Sequence, residues 1–172
     1  MLVFDIETNG LLYDVSKIHC IATFDTETET SYVFNNRGGE SGSIKDGINQ
    51  IMGSKVIAGH NIIGYDIPVI RKLNDCFSYN GELVDTLILS RTFHPNLMEI
   101  DKRRNWRHMP MQLYGRHSLE AYGYRLGEYK GEFGKTADWK EWSQEMQDYM
   151  VQDVKVTTKL CEHFRPYLTR SN

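Results

Sequence analysis

Leu2-Val-Phe-Asp-Ile-Glu-Thr8 constrains the fold of this chain more than any other segment, because it sets two acids into an apolar run. Leu2 to Ile6 reads as a buried strand. Strand side chains alternate between faces, so Asp5 and Glu7 share one face and Ile6 points away from them into the packing. Two carboxylates bracketing an apolar residue on an exposed edge would need no explanation. In a buried strand unpaired charge is expensive, and the pair must be compensated by partners or by a metal.

Two further acids have contexts suited to the same work. Asp66 closes His60-Asn-Ile-Ile-Gly-Tyr-Asp66 at the start of an expected helix. There it is either an ordinary N-terminal charge on the helix dipole or a member of an acidic site. Asp153 closes Tyr149-Met-Val-Gln-Asp153 inside an expected helix, which puts phenol and carboxylate on one face a turn apart. The plain alternatives are a core tyrosine and a surface ion pair with Lys155 or Lys159. Taken together, the four acids form an oxygen-only ligand set suited to magnesium or manganese, and two such ions suit phosphodiester hydrolysis. Tyr149 would then position the attacking water. Asn61 is a turn former or a hydrogen-bonding partner of the acidic cluster. Asp85, in Leu83-Val-Asp-Thr-Leu87, is read as a supporting group or a bond to backbone rather than a ligand. His60 is not assigned to metal.

Along the chain, Ile18–Phe24 and Ser31–Phe34 continue from the first strand as an antiparallel meander. Ile44–Met52 is an expected helix, Lys55–Ala58 a buried strand, and a helix runs from after Gly64 to about Leu73 with Pro68 in its first turn. Leu83–Thr86 reads as a short strand and Leu87–Phe93 as the start of a helix. His94–Tyr114 lacks a clean period and is expected to be extended. Ser118 caps a helix through Tyr124, a glycine-containing link spans Gly127–Gly134, and Ser143 caps a last helix that Pro166 stops. The expected fold is a single α/β domain over residues 1–172, with a mixed β-sheet flanked by helices.

Size and composition agree with that fold. A chain of 172 residues is long enough for one domain and short for two. Cys20, Cys76 and Cys161 are few and scattered, which argues against disulfide scaffolding or a clustered zinc site and suits a reducing cytosol. No apolar run is long enough to span a membrane, and no basic-then-apolar leader is present. The net charge of -3 does not exclude nucleic acid, since phosphate contacts need only a local patch. Lys102 to His117 supplies one: Lys102, Arg103, Arg104, Arg107 and Arg116 without an acid, with Trp106 and Tyr114 among them. A solvated loop is the competing reading.

In order, Phe4-Asp-Ile-Glu-Thr8, Asn61-Ile-Ile-Gly-Tyr-Asp66 and Tyr149-Met-Val-Gln-Asp153 resemble the three motifs of the DEDD superfamily of 3′–5′ exonucleases, with a ribonuclease-H-like fold. A tyrosine four residues before the last aspartate resembles the tyrosine branch; the position that holds histidine in the other branch is Asp148 here. Asp85-Thr-Leu-Ile-Leu-Ser-Arg91 and His117-Ser-Leu-Glu-Ala-Tyr-Gly-Tyr-Arg-Leu-Gly127 look like the proofreading domains of T7-like bacteriophage DNA polymerases. The resemblance implies that Asp5, Glu7, Asp66 and Asp153 bind two Mg2+ or Mn2+ and that Tyr149 orients the water. It implies release of nucleoside 5′-monophosphates from single-stranded or frayed DNA 3′ ends, with Thr8 and Leu11 lining the terminal nucleotide. It also implies either a domain of a longer polymerase or a separately encoded phage enzyme with a replication partner, in the host cytoplasm. An RNA 3′–5′ exonuclease and a noncatalytic nucleic-acid-binding or polymerase-associated module are the alternatives.

Overall fold

Leu2–Thr8 forms the central strand, β1, of a five-stranded sheet. The computed structural model describes residues 1–38, 41–128 and 138–168. The other strands are β2 (Ile18–Asp25), β3 (Thr30–Asn35), β4 (Val56–Gly59) and β5 (Glu82–Asp85), in the spatial order β3-β2-β1-β4-β5. The first three make the expected antiparallel meander. β4 and β5 join parallel to β1, which gives the mixed sheet of a ribonuclease-H-like architecture.

Alternation along β1 sorts its residues between two cores. Leu2, Phe4 and Ile6 pack with Ile48 and Ile51 of α1 (Ile44–Gly53) and Ile67 and Ile70 of α2 (Asp66–Leu73). Val3 faces the other way, with Cys20, Ala22 and Ala58. It meets Met150, Val154 and Cys161 of the long C-terminal helix, Gln144–Leu168. Each large aliphatic side chain so buried contributes roughly 1.5–3 kcal/mol relative to exposure. Ser43 closes a capping box on α1 with Asp46. At the end of β4, a Cβ on Gly59 would sit 2.9 Å from the Phe4 carbonyl oxygen and 2.1 Å from Ile62, so only glycine fits this approach to β1.

Beyond β5 come α3 (Thr86–Phe93), α4 (Leu97–Arg104), a 3-10 turn at Met111–Leu113 and α5 (Leu119–Leu126). The C-terminal helix is therefore α6. Ser118 and Ser143 cap α5 and α6 as expected, accepting from the amides of Ala121 and Met146. Gly127, at φ 72°, ends α5 in the left-handed conformation. Of the expected link over 127–134, residues 127 and 128 are described and the rest lies outside the described residues, as do residues 39 and 40 of the loop after β3. None of the described helices is long and apolar enough to cross a membrane.

Two expectations are corrected. His94–Tyr114 is not an extended excursion, since α4 and the 3-10 turn lie within it. The buried positions of α4 are Leu97 and Asp101, one turn apart, and an acid at the second hides the apolar period. Pro166 does not stop α6, which runs on to Leu168. Its fixed φ is already helical, and the hydrogen bond it forgoes falls at exposed Glu162.

Asp101 is fully buried and holds the basic stretch in place. It takes two bonds from Arg125, Nε at 3.0 Å and Nη2 at 2.7 Å, one from Trp106 Nε1 at 2.9 Å and one from the Gly115 amide at 2.8 Å. Burial pushes its carboxyl pKa up, but the bonds from Arg125, Gly115 and Trp106 outweigh this and hold it below the ordinary value. Arg125 is itself largely buried, so removing its partner strands a charge. Asp101→Ala is expected to destabilise the fold by about 3–5 kcal/mol, read as a lower urea midpoint; a midpoint within error of wild type would contradict this role.

Candidate active site

Asp5 and Glu7 leave β1 on the α6 face, just past the point where Val3 packs against that helix. Asp153 reaches the same place from α6. One carboxylate oxygen from each of the three acids lies within 4.8 Å of the other two. Asp153 is buried and the others half-buried. Like charges this close require a proton or a cation, and an oxygen-only set selects a hard divalent ion. Their field reaches neighbouring groups. Burial first, then the charges of Glu7 and Asp5, push the Cys20 thiol pKa far up. Burial and the charges of Asp66 and Glu7 outweigh a bond with Thr8 in raising that of Tyr65. The residues present therefore fit a divalent cation.

Asp66 begins α2, outside the three-acid group, and is 4% exposed. β4 pairs with β1 only as far as Val3↔Ala58, so farther along β1 the Ile6 amide donates instead to Asp66 Oδ1 at 3.2 Å. Burial is the main cause that raises the Asp66 pKa to about 7; bonds from the amides of Ile6 and Asp66 lower it, and the charges of Asp85 and Asp153 raise it.

Asp85 supports this arrangement through backbone. It accepts from the amides of Asn61 and Ile63 at 3.0 Å each and from Leu87 at 2.9 Å. Those bonds cap α3 and fasten the loop that delivers Asp66. Asn61 adopts φ 66° in that loop, and its carbonyl accepts from Gly64 and Tyr65. His60 bonds through Nδ1 to Thr86 Oγ1. Tyr149 lies half-buried one turn before Asp153 on α6. Lys159 pairs with Glu128 at 2.6 Å.

Thr8 and Leu11 line a cavity of about 360 Å³ beside Glu7, with Tyr65 and Trp139. Leu11 is 62% exposed and Thr8 buried. The Tyr65 hydroxyl donates to the Gly10 carbonyl at 2.6 Å and meets Thr8 Oγ1 at 2.5 Å, which joins the turn after β1 to the start of α2. Sequence reasoning missed Tyr65 and Trp139 at this place. Tyr65 stands inside the Asn61–Asp66 motif, beside an acid already singled out; Trp139 has no comparable signal. Arg103, Arg104 and Arg107 are exposed, and the Arg104 guanidinium lies 5.4 Å from the centre of the Trp106 ring, whose N–H is held by Asp101.

A raised carboxyl pKa means that the folded state keeps a proton the unfolded state releases. The contribution of Asp66 to stability is then complete below about pH 4 and lost as pH rises through about 7. In chelator, the urea midpoint of wild type is expected to fall across that window relative to Asp66→Asn. Parallel profiles for the two proteins would contradict the raised pKa.

The chain matches no protein-family model. It is 37% identical over 186 aligned positions to the DNA-directed DNA polymerases of Enterobacteria phage T3 and Escherichia phage T7, an alignment that covers 94% of this chain and 26% of each polymerase. It thus spans about a quarter of the length of these curated relatives. Solved structures of Brucella melitensis NrnC, one bound to pGG and one with bound Mg2+, share the fold with TM-scores of 0.62 at 18% and 17% identity, covering 98% of this chain and 73% of theirs. The three motifs, the mixed sheet and the polymerase match lead to one conclusion: the chain belongs to the ribonuclease-H-like DEDD exonuclease superfamily.

Proposed function

We propose that this chain is a two-metal-ion 3′–5′ exonuclease that removes nucleoside 5′-monophosphates from single-stranded or frayed DNA 3′ ends. The observation that carries this reading is the convergence of Asp5, Glu7 and Asp153 oxygens within 4.8 Å, with Tyr149 one turn before Asp153. Asp5, Glu7, Asp66 and Asp153 hold the ions, Mg2+ or Mn2+. When bound, such ions acidify the attacking water and offset charge developing on the leaving 3′ oxygen. The Tyr149 phenol oxygen accepts a hydrogen bond from that water and so leaves the water's lone pair directed toward the phosphorus.

Thr8 and Leu11 contact the terminal nucleotide from the cavity beside Glu7, and Asn61 keeps the loop that brings in Asp66. Arg103, Arg104 and Arg107 take phosphates of the incoming strand, next to the Trp106 ring. DNA is favoured over RNA because the 37% identical relatives are DNA polymerases. The same relatives support a role in proofreading beside a polymerase domain or replication partner, in the cytoplasm of a phage-infected cell.

The direct test incubates the protein with 5′-labelled single-stranded DNA, or matched RNA, in magnesium. A ladder shortening from the DNA 3′ end is expected, abolished by chelator and in Asp5→Asn. Tyr149→Phe is expected to slow turnover roughly a hundredfold while retaining metal. Equal rates for Asp5→Asn and wild type would overturn the site, and preferential cutting of RNA would overturn the substrate.

A further inference from the structure

The pairing of β1 with β2 slips beside the acids. Glu7 pairs with Cys20 and Thr8 with Ile18, which leaves His19 as an inserted residue in β2. Bulges of this kind re-aim side chains and recur next to active sites. Here the outcome is visible. Ile18 keeps its place in the core on the α1–α2 side, while the buried His19 imidazole reaches the segment entering α6 and bonds through Nε2 to the Trp139 carbonyl at 3.0 Å. A carbonyl only accepts, so Nε2 carries the proton. Nδ1 is buried and has no hydrogen-bond partner among the described residues. Among the described residues, the hydrogen bond of the His19 imidazole is therefore the one to the Trp139 carbonyl.

Trp139 is also engaged on its other side. Its indole lies edge-on to the Tyr149 ring, with centroids 6.4 Å apart and planes at 73°. The backbone beside it is tightened by the Lys140 amide, which donates to Asp138 Oδ1 at 3.0 Å. One indole therefore touches Tyr149 while its own backbone is registered to the strand next to Glu7.

We propose that Trp139 is a positioning residue for Tyr149, held by His19 at the β2 bulge. The inference rests on the exonuclease reading for its effect on rate, and on geometry alone for its effect on Tyr149. The distance between the acids on β1 and the phenol on α6 depends on how two separate elements dock. Packing of Val3 on Met150 sets that distance only coarsely, since apolar contact is not directional. The His19–Trp139–Tyr149 chain adds a hydrogen bond and a ring edge, both of which are directional.

The test is a double-mutant cycle. Trp139→Leu is expected to lower kcat roughly tenfold to a hundredfold, with KM within about twofold, and to cause no further loss in a Tyr149→Phe background. His19→Leu is expected to reproduce part of the loss, and His19→Gln, which retains an N–H donor, to restore most of it. The same loss in both backgrounds, or an effect confined to KM, would overturn the proposal and make Trp139 a direct substrate contact. Should Trp139→Leu fail to fold, Trp139→Phe supplies the same comparison with a smaller loss.

A second readout needs no activity. In protein labelled with 3-fluorotyrosine and free of metal, the 19F resonance missing from Tyr149→Phe identifies position 149. It is expected to shift or broaden in Trp139→Leu and His19→Leu but not in His19→Gln. An unmoved resonance would overturn the positioning role even in an active enzyme. A wild type that cuts neither DNA nor RNA would sink the exonuclease reading and leave the resonance to decide the relay.

Discussion

Negative charge inside a sheet is the constraint that organises this protein. β1 is the central strand, and its residues before Asp5 are buried on both faces, so Asp5 and Glu7 emerge where low dielectric and like charge both act against ionisation. A chain that keeps carboxylates there has to compensate them. Across the molecule, buried carboxylates are compensated in four chemically distinct ways.

Asp101 is met by a guanidinium, an indole N–H and an amide, a full complement that lowers its pKa in spite of burial. Asp85 is met by backbone amides from the loop after β4 and the first turn of α3, and it becomes a fastening between them. Asp66 receives the Ile6 amide, and burial with neighbouring charge pushes its pKa to about 7. Asp5, Glu7 and Asp153 face one another within 4.8 Å, an arrangement matched to a divalent cation. Acids with structural duties and the acids of the candidate centre are thus separated by what surrounds them, not by residue type.

That distinction explains how much was legible in the sequence. β1, the meander and the strand–helix alternation follow from apolar period and turn residues, and local spacing alone places Asp5 with Glu7 and Tyr149 with Asp153. α4 was not legible because a buried aspartate occupies the position where a period search looks for an apolar residue. The length of α6 was misread at Pro166, where the lost bond is cheap because the turn is exposed. Asp85 was left between support and backbone bonding, since its partners come from a loop more than twenty residues away. The bulge at His19 and the docking of Trp139 on Tyr149 depend on register and tertiary contact, which no local pattern encodes.

Binding of a divalent ion by the convergent carboxylates is the claim on which the functional reading depends. Titrating Mn2+ into the protein while following free Mn2+ by electron paramagnetic resonance tests it without substrate or partner. Saturable binding in wild type, weakened at least about tenfold in Asp5→Asn and in Asp153→Asn, is the expected result. Binding of equal strength in wild type and both variants, or none in any of them, would contradict a metal centre at these carboxylates.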